Sequence, residues 1–378
     1  MTEDAKRPTV AEPKRRTLLA TAAAAAGASA AVAAAAPASA GTGAPARARQ
    51  STAVARLLAV PAAGRGVAWL RSALQVAVEL ELSTIPPYLC GWWSVKDRRS
   101  DAARLIRRII DDEMYHLGIA CNLLVAVGGR PRIRAGAPTY PGPLPGGVHP
   151  GVTVYLSGLT RSFVHDVMMA IEAPDAALTR ERGTSPSPSV GDFYTAVLEG
   201  FWLVAPHLST HGQLEARIGS DELRPVRTLL DVQRAIDVVR EQGEGTGSSP
   251  DDSFADDHPA HYYAFSEIYH GRQLRVTDRG WTYTGPQVPF PDTRPMARVP
   301  AGGWSRPPEP VRRLLHRFDT TYTTVLTSLD AAWSEGGPRS LGAAVHAMRG
   351  LEEPALHLME TRIPGRRSTY GPQFRALP

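Results

Sequence analysis

The sequence predicts an all-α protein whose core is a four-helix bundle. Apolar residues recur at the helical period in one stretch after another, strand signals are sparse, and no repeat of 20–50 residues breaks the pattern. In addition, several of the apolar stripes carry a glutamate or a histidine where the period calls for Leu or Ile.

The chain has 378 residues, 43% hydrophobic and 21% charged, which suits a sizeable core and argues against disorder of the whole. Residues 1–40 stand apart. A basic start containing Arg15-Arg16, then Thr17-Leu18-Leu19, an Ala-rich run and Ala38-Ser39-Ala40 form the pattern of a twin-arginine export signal with a cleavage site. The expectation is export through the twin-arginine translocase and a mature chain without a membrane span, since no later stretch approaches 18 consecutive apolar residues. The net charge is +5, and five basic against three acidic residues in the first forty leave the mature chain at +3. No basic run interleaved with aromatics occurs, so nucleic acid is not an expected partner.

Residues 41–64 are Ala/Pro/Arg-rich and read as a linker. Residues 65–275 hold the bundle. The first helix covers "VAWLRSALQVAVELELSTI", with Pro86-Pro87 expected to kink or interrupt it. The second starts at the N-cap pair Ser100-Asp101 and runs to Val127, before Gly128-Gly129. A third spans about Arg161 to Ala173, and a short one Val190 to Val204. "LLDVQRAIDVVREQGEG" is a helix with a glycine stop, and "HPAHYYAFSEIYHGRQL" is expected to be helical from Pro259. Residues 276–308, rich in Pro and aromatics, read as an irregular ordered strap. Residues 309–378 carry C-terminal helices, Glu309–Trp333 and Ser340–Glu360, whose stripes look like plain core packed on the bundle.

The second helix poses the functional question. Its stripe is Ile106, Ile109, Glu113, His116, Ala120, Leu123 and Val127, so a carboxylate and an imidazole sit one turn apart on the inward face. A buried carboxylate costs several kcal/mol unless it is paired or protonated, so Glu113 needs a partner. In the first helix Glu81 shares the apolar face with Leu74, Ala77 and Ile85, while Glu79 falls with Gln75 and Ser83 on the polar one. In the third, Glu172 follows His165 and the methionines on one stripe, and "HPAHYYAF" offers His258 and His261. Each of four helices thus turns a carboxylate or imidazole inward, close to the donor inventory of a dinuclear carboxylate site in a helix bundle. Such donors without thiolate favour iron, with manganese, copper or zinc as alternatives. Cys90 and Cys121 lie on diverging ends of their helices and read as buried free thiols.

The segments "LQVAVELELSTIPPYLCGWWSV", "IIDDEMYHLGIACNLLVAVGGRP", "MMAIEAP", "VGDFYTAV", "AIDVVREQGEG", "HYYAFSEIYHGR" and "YTGPQVPFPDTRPMARVPAGG" come in the order found in the ferritin-like domain of the iminophenyl-pyruvate dimer synthase family. The chain resembles that family over about Leu70 to Gly371. The resemblance implies a ferritin-like four-helix bundle holding two metal ions at Glu81, Glu113, His116, Glu172 and His261. In that family the residue three before the last histidine is usually acidic. Here it is His258, followed by Pro259, which leaves the sixth ligand to His258 itself or to Asp257. The bisindole enzymes of the family are also much longer and act inside the cell, so their substrate does not transfer.

Three functions stay open on the residues. The first is an oxidoreductase that uses dioxygen or peroxide to oxidise or couple a small aromatic or amino-acid-derived substrate, with Glu113 and Glu172 bridging the metals and Trp92, Trp93, Tyr262 or Tyr263 lining access. The others are a non-catalytic metal-binding or storage protein and a structural bundle that has lost its metal. Glu267 and His270 lie on a different face, with Glu267 expected to pair with Arg272, and His207 and His211 read as surface residues.

Overall fold

Two long helices lying side by side set the frame of the molecule, which is known from a computed structural model describing residues 52–174, 189–244, 250, 258–278 and 280–378. The expected export signal, the first part of the linker and Asp257 lie outside the described residues. In chain order the helices are α1 (Ala53–Leu58), α2 (Val67–Ser94) and α3 (Asp101–Ala126). Next comes α4, a single turn Arg161–Phe163 that runs into a π-helical turn Val164–Met169. They continue with α5 (Val190–Val204), α6 (Leu229–Glu244), α7 (His261–His270), α8 (Glu309–Ala331), α9 (Gly337–Arg349) and α10 (Glu352–Glu360). Two antiparallel hairpins, β1 (Ala216–Ile218) with β2 (Asp221–Leu223) and β3 (Arg275–Thr277) with β4 (Gly280–Thr282), are the only named strands among the described residues. Residues Gln50–Pro378 form one compact unit.

The α3 stripe packs as its spacing requires: Ile106, Ile109, Glu113, His116, Ala120, Leu123 and Val127 are all buried. Ser100 caps the helix, its hydroxyl accepting from the Ala103 N–H. Helix α2 does not break at Pro86-Pro87. Both prolines lie inside one continuous helix. Pro87 cannot donate to the Ser83 carbonyl four residues back, and the Tyr140 hydroxyl donates to that carbonyl instead, at 2.7 Å. A tertiary donor thus replaces the missing backbone one.

Three other expectations change. The helix expected from Arg161 to Ala173 widens into the π-turn, and the extra residue per turn takes His165 off the stripe of Glu172. His165 is half-buried and pairs with the Asp166 carboxylate at 2.8 Å. Helix α7 begins at His261 rather than Pro259, because Ala260 is extended (φ −56°, ψ 160°) and stands as its N-cap. The single helix expected over Ser340–Glu360 is two helices parted at Gly350-Leu351, with Pro354 in the first turn of α10. Of the expected stripe, Leu351 and Ala355 are buried, while Val345 is 40% exposed. The α8 stripe, by contrast, is core throughout: Val311, Leu315, Phe318, Tyr322, Val325 and Leu329 are buried.

The expected irregular strap, 276–308, opens with the β3–β4 hairpin, and its later part is tied to the bundle. Arg294 N–H donates to the Ser94 carbonyl at 2.7 Å, Val299 N–H to that of Leu156 at 2.9 Å, and Val288, Met296 and Val299 are buried. Cys90 and Cys121 are buried free thiols. No helix of the described residues is long and apolar enough to cross a membrane.

Candidate metal centre

The two long helices bring Glu81 and the Glu113–His116 pair to the same depth. Two groups of donor atoms result, each with its members within 4.8 Å of one another: Glu81, Glu113 and His116, and Glu113, Glu172 and His261. Glu113 belongs to both. The clustered side chains are almost entirely buried, Glu81, Glu113, His116 and His261 at 4%, 2%, 2% and 0% exposure. His258, expected as a possible ligand, is exposed and belongs to neither group.

Both imidazoles present the same nitrogen inward. His116 Nδ1 lies 3.7 Å from Glu81 Oε2 and 3.8 Å from Glu113 Oε1, while its Nε2 meets Gln242 Oε1 at 2.7 Å. An amide oxygen only accepts, so Nε2 carries the proton and Nδ1 keeps its lone pair for the site. His261 repeats the arrangement, with Nε2 3.2 Å from Asp112 Oδ2. Its Nδ1 lies 3.0 Å from Glu113 Oε1 and 3.7 Å from Glu172 Oε2, yet is aligned for a hydrogen bond with neither. A buried imidazole nitrogen facing two carboxylates in this way could be satisfied by a cation held between the three. The donor set of carboxylates and imidazoles without thiolate fits such a cation.

The outer sides of the carboxylates are also held. Tyr194 on α5 donates to Glu81 Oε1 at 2.5 Å, Tyr88 on α2 donates to Glu172 Oε1, and Thr84 Oγ1 lies 2.5 Å from Glu113 Oε2. Tyrosine and threonine fix where each carboxylate points, as outer partners of metal ligands do. Sequence reasoning missed these groups. Tyr88 stands seven residues after Glu81, two turns along the same face, and Asp112 adjoins Glu113, so both carried a local signal. Tyr194 and Gln242 carried none, because they arrive from other helices.

Charge is what makes the cluster unusual. Burial raises the pKa of Glu81 well above the carboxylate range, and the neighbouring Glu113 charge adds to the rise. Glu172 is raised for the same two reasons. Burial opposes a charged His261, but the carboxylates of Asp112, Glu113 and Glu172 around it outweigh burial and hold its pKa well above the usual value. Without a cation the cluster keeps protons in its place.

The ferritin-like family model matches residues 74–270, just over half of the chain and all five clustered side chains. The chain belongs to the ferritin-like family. Among solved structures, this ferritin-like chain is similar to a ferritin-like protein from Caulobacter vibrioides, with a TM-score of 0.60 and 22% identity over 81% of this chain and 97% of that one. That likeness shows the fold. No curated protein matches the chain.

The remaining sequence candidates fall outside the ferritin-like cluster. Glu267 accepts from the Leu274 N–H at 2.7 Å rather than pairing with Arg272, whose guanidinium donates to the Gly285 carbonyl. Trp93 is buried and stacks on Phe374, so it is core. His207 and His211 are exposed.

Proposed function

We propose that the chain is an exported two-metal oxidoreductase, related to the iminophenyl-pyruvate dimer synthase family, that oxidises or couples a small aromatic or amino-acid-derived substrate. The observation that carries the reading is the shared position of Glu113 in both donor groups, which is the arrangement a bridging carboxylate needs. Its ligands would be Glu81, Glu113, His116, Glu172 and His261, with iron favoured over manganese, copper or zinc; Glu172, expected as a second bridge, belongs to one donor group only. The order of the sequence segments supports the relationship, and the twin-arginine pattern of residues 1–40 supports export.

When bound, the two metals supply the redox chemistry, activating dioxygen or peroxide. The protein's own contribution is positional. Tyr88 and Tyr194 keep two carboxylates turned inward, Gln242 and Asp112 set the histidine tautomers, and Ile171, Val190 and Val239 wall the site against water. The cavity beside the cluster holds about 30 Å³, room for about two water-sized molecules. It suits a small oxidant.

Elemental analysis of the reconstituted mature protein tests the reading. About two metal ions per chain are expected, falling to nearly none in Glu113→Ala because both groups lose a member. Less than about half a metal per chain in the unsubstituted protein would overturn it. Oxygen consumption by the loaded protein with aromatic amines then separates an enzyme from a store.

A further inference from the structure

A second cavity lies on the far side of Asp112 from the cluster. It is an open cleft of about 330 Å³ between the end of α2, the start of α3 and the β1–β2 turn. Arg107 and Arg108 lie three and four residues after Arg104 on α3, one turn along the same side, and Arg98 joins them from the loop before it. The Trp92 ring sits among them, with the Arg98 guanidinium 4.0 Å and that of Arg107 5.3 Å from its centroid.

The lining is unevenly charged. Four guanidinium groups face it against the carboxylates of Asp111 and Asp112, since Glu352, which pairs with Arg98, and Asp101, which pairs with Arg104, lie outside it. Arg107 meets Asp111 at 2.9 Å, but Arg108 reaches Asp112 only at 3.5 Å. Among the described residues, Arg108 Nε and the indole N–H of Trp92 are buried without a hydrogen-bond acceptor, and Arg108 Nη1 has only the 3.5 Å contact to Asp112, while Nη2 donates to the Pro259 carbonyl. Natural proteins seldom leave such donors unmet.

We infer that this cleft binds a small oxyanion, an organic carboxylate or a phosphate, at a site separate from the metal cluster. Guanidinium groups match both anions by paired N–H donors, and several on one face give a geometry that lysines would not. At about 330 Å³ the cleft is large enough for a ring-sized molecule. Through Asp112, whose Oδ2 faces both Arg108 and His261, the bound anion would lie two side chains from the cluster. Binding itself needs no metal, so the inference stands or falls apart from the oxidoreductase reading.

Calorimetric titration of the full chain, as purified and after chelation, with benzoate and with inorganic phosphate tests it. Saturable binding of either probe is expected, weakened about tenfold or more in Arg104→Ala and in Arg107→Ala. Both side chains are largely solvent-facing, at 63% and 47% exposure, so unchanged thermal melting will show that these variants fold. Tighter binding of benzoate assigns a carboxylate ligand, and tighter binding of phosphate assigns a phosphate-bearing one. No saturable binding of either, or binding in both variants within about twofold of the parent chain, would overturn the inference.

Discussion

Tyr194 donates its hydroxyl to Glu81 Oε1 across 2.5 Å, joining residues 113 positions apart in the chain. The bond turns one carboxylate oxygen away from the cluster and leaves Oε2 on the side of His116. Tyr194→Phe keeps the packing and removes the bond. Its expected effect is about 10–100-fold weaker metal binding, measured by competition with a chelator, with the helical content unchanged.

Asp112 and His258 make a contrasting pair. Asp112 accepts from His261 Nε2, so Asp112→Asn is expected to lower metal affinity by about 10–100-fold. His258 is exposed, and His258→Ala is expected to leave metal content as it was. A fall in bound metal in the His258 variant would restore that residue as a ligand.

The metal-free protein should lose stability as pH rises. Glu81 and Glu172 have raised pKa values in the fold, so their protonated forms favour the folded state below the usual carboxylate range, and that advantage fades as pH climbs through the raised values. His261 is raised as well, and its contribution is likewise full at low pH and lost as pH rises through its folded value. Thermal melting with a chelator, from about pH 5 to about pH 8, is expected to show a falling midpoint. Added metal displaces the same protons, so its affinity is expected to rise over that window.

The continuity of α2 depends on a residue outside it. In Tyr140→Phe the Ser83 carbonyl, freed by Pro87, has no side-chain donor in a buried setting. The expected cost is about 1–3 kcal/mol in denaturant unfolding, with no loss of metal ligands.

Much of the centre was legible locally. The i, i+3 spacing of Glu113 and His116 on an otherwise apolar stripe, and the placing of Glu81 rather than Glu79 inward, follow from the helical period, and both glutamates are buried as that period requires. The α3 cap and the α8 stripe were readable for the same reason. Periodicity failed where the backbone departs from 3.6 residues per turn. The π-turn after α4 separates His165 from Glu172, and the extended Ala260 starts α7 at His261, three residues beyond His258.

By itself the sequence determined the long helices α2 and α3 and the inward turn of Glu81, Glu113 and His116, because those choices rest on neighbours three or four residues away. Only the tertiary structure decided that Glu113 serves both donor groups, and that Tyr88, Tyr194 and Gln242 hold the ligands from 84, 113 and 126 residues away in the chain. Contacts at such separations depend on how whole helices dock, and no local period encodes that.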